Sequence, residues 1–378
     1  MPSTTPSRTA MLDHSSEDRL ADVARRAAAV IAVPKAADPN SFVLHAPLEL
    51  LARVGLVPLV SPARRDEAIG MIEWLAAQYA AAGDPVDLPV EARPAADPRA
   101  DIDRLVAAVR AGDVAEVDRL APPLLAALAP AEAAGALGEH VVTSLSAAGH
   151  APIGFALLQR VRPMLSPALL HGAVRTITSR PDWQVSWHLP VTGDGDPSRL
   201  AEVLAVVPHL GRPGSDFIFP LMSQVQDAGL GEQLLAPLLA DRYDTRAVAA
   251  ALTRAAAWSM LHDDPEQAPY GWSHALTMPQ AVMALAGAGV RARTALAVAA
   301  TYAVGFRAAH GTAPLPAHIE DVADVDASWT EIATAAALHH DAHLVKHTLA
   351  ARHAAADDPT HAGLYRAAAA RLVEWWGA

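Results

Sequence analysis

The chain has 378 residues, 29 of them Lys or Arg and 41 Asp or Glu, for a formal charge of −12. That length supports one large core, and 52% hydrophobic against 19% charged residues marks a globular chain rather than a disordered one. It contains no cysteine, which excludes disulfides, iron–sulfur clusters and thiolate zinc sites.

The acidic balance, with no concentration of Lys and Arg on one face, argues against a nucleic-acid partner. Seventeen histidines mean that any metal would be held by imidazole and oxygen ligands. Residues 1–14, rich in Ser, Thr and Pro, read as a disordered tail without the basic-then-apolar layout of a signal peptide. Residues 15–378 read as one all-α domain, a large multi-helix body packed around a central pocket with little or no sheet. Ala-rich runs are broken by Arg, Asp and Pro, so no span long and apolar enough for a membrane is expected, and the protein is expected in the cytoplasm.

Helices are predicted over 19–33 and 63–82, with another opening at Pro47, where a missing N–H costs nothing, and His45 at or just before its start. Several short helices fill 99–147 and end at Gly149-His150-Ala151-Pro152. Helices over 153–161 and 168–178 precede a loop over 179–198, and others follow at 200–207, 220–228 and 246–261. The polar stretch 263–272 leads through Ser273-His274-Ala275-Leu276-Thr277 into a helix ending near Ala286. Further helices cover 294–309, 329–355 and 361–376.

Three segments pair a histidine with a small residue beside an apolar helical run: His45-Ala46, His171-Gly172 and His274-Ala275. The small neighbour permits close approach of a backbone or ligand, and a helix N-terminus keeps imidazole neutral and able to bind metal. The bland alternative is three unrelated core or capping histidines, since no local His-x-x-x-His signature links them. Late in the chain stands Asp341-Ala342-His343-Leu344-Val345-Lys346. Residues three apart share a helix face, so His343 and Lys346 point to one place, as a surface pair or as part of a site. His339, His340, His343 and His347 include pairs four apart that suit a two-histidine clamp or an exposed His-rich face. Trp183, Trp187, Tyr270 and Trp272 are candidates to line a pocket for a flat ligand. Gly287-Ala288-Gly289 lacks the third glycine and the preceding strand of a dinucleotide fingerprint. There is no P-loop and no glycine-flanked elbow serine.

Taken together and in order, Leu44-His45-Ala46-Pro47-Leu48 with Trp74 and Tyr79, Leu170-His171-Gly172-Ala173-Val174-Arg175-Thr176, Ser273-His274-Ala275-Leu276-Thr277 and Asp341-Ala342-His343-Leu344-Val345-Lys346 resemble the questin oxidase-like family. The resemblance implies a mostly helical oxygenase with a histidine-rich non-haem iron centre that includes a lysine carbamate. Its fungal members are associated with oxidative ring opening of anthraquinone-type polyketides. Carried across, the metal ligands would be His45, His171, His274, His343 and Lys346, with Fe(II) as the metal and dioxygen as cosubstrate. The chain departs from the family pattern at Leu44, where Asn is common, and at Ala342, where Glu is common.

The expected function is therefore an oxygenase acting on an aromatic polyketide-like small molecule by ring cleavage or Baeyer–Villiger insertion. His340 and His347 are candidates for proton transfer, Arg175 for anchoring an anionic oxygen, and Trp187, Tyr270 and Trp272 for the substrate pocket. NADPH, if used, has no binding motif here, so electrons would come from an external reductase. Two alternatives stay open: a metal-dependent hydrolase or lyase using the same ligands, and a non-catalytic helical binding protein.

Overall fold

The computed structural model describes residues 14–88, 98–161, 165–185, 195–214, 218–240, 242–264, 269–316, 319 and 325–377. Among them run sixteen α-helices: α1 (His14–Ile31), α2 (Ser41–Leu56), α3 (Arg65–Ala81), α4 (Pro98–Ala111), α5 (Val114–Ala127), α6 (Pro130–Thr143), α7 (His150–Arg160), α8 (His171–Thr178), α9 (Leu200–Val206), α10 (Ile218–Asp227), α11 (Thr245–His262), α12 (Pro269–Ala286), α13 (Ala292–His310), α14 (Trp329–Leu338), α15 (Ala342–Asp357) and α16 (Ala362–Trp376). The described residues form no strand, only two isolated bridges, Lys35 with Pro85 and Ser144 with Gln184. The all-α single-domain expectation holds. Of the expected tail, residues 1–13 lie outside the described residues, while His14 already opens α1.

The helices differ in how much of their circumference is covered. α1 is an outer helix: Leu20, Val23, Ala27 and Ile31 recur at helical spacing on its buried side, and charged residues take the rest. α2, α13 and α15 are buried nearly all round. Each fully buried Leu or Ile contributes about 1.5–3 kcal/mol relative to an exposed one, so these three helices carry much of the core. The stretch Ser41–Leu59 meets the length and composition of a membrane span, with mean hydropathy 1.5, contrary to the sequence expectation. Two thirds of it, 67%, is buried inside the protein, so core packing accounts for its apolar character.

Three helix boundaries correct the sequence reading. α2 begins at Ser41, capped by Asn40, whose Oδ1 accepts from the Val43 N–H at 2.9 Å. Pro47 therefore lies inside the helix and His45 is its fifth residue; a good cap outweighed the tendency of proline to open a helix. α12 begins at Pro269, so Tyr270, Trp272 and His274 are helical. The predicted helix over 329–355 is two helices, broken at His339-His340-Asp341. Asp341 is the cap of α15, and its Oδ1 accepts from the His343 N–H at 2.7 Å.

Around the centre, α2 packs on α7 and α15, and α12 packs on the same two, so four helices close a ring. Gly149 sets one corner of it. Its φ is +69°, and a Cβ there would meet Met278 Cε of α12 at 1.8 Å. The left-handed φ is what calls for glycine at this corner, and the tip of Met278 occupies the space a Cβ would take.

Candidate metal centre

The ring of helices brings five side chains together: His45 from α2, His150 from α7, His274 from α12, and His343 and Lys346 from α15. All are at least nine-tenths buried. The rings of His45 and His150 have centroids 4.1 Å apart, those of His45 and His343 4.3 Å, and those of His274 and His343 5.1 Å. The Nε2 atoms of His150 and His274 are 3.4 Å apart.

Three of the imidazoles are held from behind. His45 Nδ1 donates to the Ser41 carbonyl at 2.6 Å, and His274 Nδ1 donates to the Tyr270 carbonyl at 2.6 Å, each one helical turn back. His343 Nδ1 lies 2.9 Å from Asp341 Oδ1. A proton fixed on Nδ1 leaves Nε2 as a lone pair facing the cluster, the tautomer a metal-ligating histidine needs. Burial drives the pKa of all four histidines well below the ordinary value, with the positive charge of a protonated Lys346 adding to it. They are neutral bases at physiological pH.

Lys346 is 2% exposed, and its Nζ closes no hydrogen bond. Burial lowers its pKa to about 7, against the opposing pull of the Asp341 and Glu49 carboxylates. His45 Nε2 and His150 Nδ1 are also buried without a partner. Each such atom costs about 1–3 kcal/mol, and concentrating three of them in one place is what a ligand site does.

These atoms suit a transition metal. Ligand atoms of His45, His150 and His274 all lie within 4.8 Å of one another. A tetrahedral ion with nitrogen ligands at about 2.0–2.1 Å holds them roughly 3.4 Å apart, so the most widely spaced pair would close by up to about 1.4 Å on binding. Imidazole ligands suit zinc, copper, iron or nickel by ligand type.

A buried clamp braces the site. Arg53 of α2 is 1% exposed, pairs with Glu49, and donates to the carbonyls of Ala337 and His339, each at 2.6 Å. It thereby ties the helix carrying His45 to the turn carrying Asp341. Burial raises the Glu49 pKa, with Arg53 opposing the rise.

His171, expected as a ligand, is not in the cluster. Its Nε2 lies 3.1 Å from Asp118 Oδ1, and Arg175 Nε donates to the other oxygen at 3.1 Å. Burial would raise the Asp118 pKa, but the bonds from His171 and Arg175 outweigh it and leave it below the ordinary value. The fourth imidazole is His150. Sequence reading passed over it, although His150-Ala151-Pro152 repeats the triplet His45-Ala46-Pro47. Arg175 does sit near the centre: it lines a cavity of about 30 Å³ that also touches His150, Lys35 and Tyr79. Its guanidinium is engaged by Asp118 rather than offered to an anion.

His340, expected in proton transfer, is exposed and packs its ring on Trp74 at 4.5 Å, so the structure does not bring it to the cluster. His347 is fully buried and faces the Ser273 backbone of α12, with its pKa lowered by burial to about 4. The clamp of His339 with His343 is excluded by the helix break between them. Of the pocket candidates, Trp187 lies outside the described residues. Trp272 is buried under the Arg371 guanidinium, 5.4 Å from its ring, and is a core residue. Trp183 stacks on Phe219 at 4.9 Å. Tyr270 is 51% exposed and stands edge-on to His343 at 4.5 Å, with the Trp376 ring 6.1 Å away. It is an exposed aromatic ring in direct contact with a histidine of the cluster. Comparison with protein-family models, curated proteins and solved structures finds no match to this chain.

Proposed function

We propose that the protein is a non-haem iron-dependent oxygenase that oxidises an aromatic, polyketide-like small molecule with dioxygen, by ring cleavage or oxygen insertion. One observation carries the metal centre: four buried neutral imidazoles converge around a buried lysine that closes no hydrogen bond. The resemblance to the questin oxidase-like family supports the choice of iron and of substrate class.

His45, His150, His274 and His343 would hold the metal, with Lys346 as the fifth group. Bound Fe(II) supplies a Lewis-acidic centre that reacts with dioxygen. Lys346 serves as an oxygen donor once carbamylated. The nitrogen lone pair of its neutral amine adds to the carbon of carbon dioxide, a C=O electron pair moves onto oxygen, and one N–H proton leaves. A buried ammonium becomes an anion of carboxylate type, which removes the cost of burying an unpaired cation. The Ser41 and Tyr270 carbonyls and Asp341 hold the rings in register. Tyr270 and Trp376 would seat an aromatic substrate beside His343. Reducing equivalents, if required, come from an external reductase.

Metal analysis of anaerobically purified protein, supplied with Fe(II) under carbon dioxide, tests the reading. We expect close to one equivalent of iron, and substrate-dependent oxygen uptake with hydroxylated aromatic polyketides. Less than about one-tenth equivalent of any transition metal would sink it, because a site of this donor set binds tightly. Metal without oxygen uptake would move the protein to the hydrolase class.

A further inference from the structure

Beside Lys346, and without Tyr270 in its wall, a narrow cavity of about 20 Å³ lies between α7, α12 and α15. Its inner end is lined by Ile153, Thr277 and Lys346, and its outer end by Arg160, Ala284 and His353. On each helix the two ends are seven residues apart, about 10 Å of helix. His150 meets His274 and His274 meets His343 at one end, while Gln280 meets Ala350 and Arg160 meets Asp357 further along, so the three helices run side by side in the same direction and the cavity lies along them. Arg160, one-third exposed and paired with Asp357 at 2.7 Å, stands where it meets solvent.

The walls state what it can pass. The volume accommodates a single small molecule or atom, too little for an organic substrate. Ala281 and Ala350 supply the middle of the wall. The polar side chains there are occupied: Thr277 Oγ1 donates to the Ser273 carbonyl at 2.7 Å, and Gln280 Nε2 to the Ala350 carbonyl at 3.0 Å. Along the alanine-lined middle, water would find few of the two to four partners it needs. At the inner end stands Lys346, whose Nζ is buried and closes no hydrogen bond.

We propose that this crevice is a binding and access site for a small apolar gas, separate from the Tyr270 face where an organic substrate would approach. Its use rests on the metal-centre reading above; its existence as a gas site does not. Dioxygen and carbon dioxide share the required chemistry, being small, uncharged and weakly hydrated. One would be consumed at the centre and the other would modify Lys346.

The test begins with crystals of the full chain under xenon pressure, xenon being an apolar probe that needs no metal. Xenon is expected between Ala281 and Ala350; crystals that diffract and hold none there overturn the proposal. Ala281→Leu and, as a milder filling, Ala350→Val then identify the gas. Slowing of the oxidation of Fe(II)-loaded protein by dioxygen, by about tenfold, the lower range for added methylenes in a closed apolar pocket, assigns the route to dioxygen. A similar slowing of label incorporation at Lys346 from isotopic carbon dioxide assigns it to carbon dioxide. Neither rate changing, at unchanged metal content, overturns the access role. If the variants do not fold, the wild-type xenon result still decides. Xenon without metal removes the metal reading and leaves the crevice; metal without xenon does the reverse.

Discussion

His274 and His171 begin from the same local pattern, a histidine followed by a small residue, yet they end in different chemistry. His274 donates through Nδ1 to a carbonyl one turn back and turns Nε2 toward three other imidazoles. His171 gives Nε2 to Asp118, a carboxylate that Arg175 also holds. His171 makes no ring contact with the four imidazoles, and its Nε2, the nitrogen that His274 turns to the cluster, is taken up by Asp118. The difference lies in which nitrogen the surroundings occupy, not in the histidine or its neighbour. The small neighbour of His171 is not demanded by packing, since a Cβ on Gly172 would meet nothing nearer than Pro34 at 4.0 Å.

The sharpest way to break this contrast is to remove one histidine from each side. His150→Ala should abolish tight metal binding, a larger loss than the roughly 10- to 100-fold that follows removal of a supporting hydrogen-bond partner. His171→Ala should leave metal content at the wild-type level. The reverse pattern in metal analysis of the two purified variants would restore the ligand set expected from sequence. Lys346→Ala should likewise cost metal while sparing the helical fold, read by circular dichroism beside metal content.

Asp341→Asn probes the support rather than the ligand. Its side chain can still cap α15, but the amide holds the His343 ring less strongly than a carboxylate. Metal affinity should fall about 10- to 100-fold with helix content unchanged. Wild-type affinity in that variant would mean that the orientation of His343 is set by packing alone.

On the other side, His171→Ala should cost stability instead of metal, roughly 1–3 kcal/mol for a buried carboxylate left with one partner fewer, measured by denaturant unfolding. The smallest effect is expected at a control outside both regions. Burial lowers the His353 pKa to about 4. A histidine with a native pKa below its unfolded value binds protons preferentially when unfolded, so acid favours unfolding. Stability from this residue is complete above the ordinary value of about 6.5 and is lost as pH falls toward about 4. In metal-free protein, His353→Leu should reduce that acid loss by about 1 kcal/mol, discounted for its partial exposure. An unchanged slope of stability against pH would show that His353 is not held neutral.

The sequence made the helical class legible because apolar periodicity and the absence of alternating β-branched runs are local properties. It also made His45, His274, His343 and Lys346 stand out. What it could not carry was convergence. Nothing near His171 announces Asp118, which lies on α5 more than fifty residues earlier. Nothing near His150 announces that Gly149 brings it against α12, though the repeated His-Ala-Pro triplet was there to be noticed. The break at His339-His340-Asp341 was hidden by alanine-rich flanks that favour helix on both sides, and only the capping bond of Asp341 decides it.

The four histidines of the cluster come from helices spread from the second to the fifteenth along the chain. During synthesis, a ribosome must release α15 before His343 and Lys346 can meet a ring begun by His45. On the proposed reading, metal loading would then be a late event, available only to a chain whose first and last thirds have already docked. An ion bound there would link segments hundreds of residues apart and stabilise the native chain over every partly folded form. Metal content would thus report, molecule by molecule, which chains had completed their assembly.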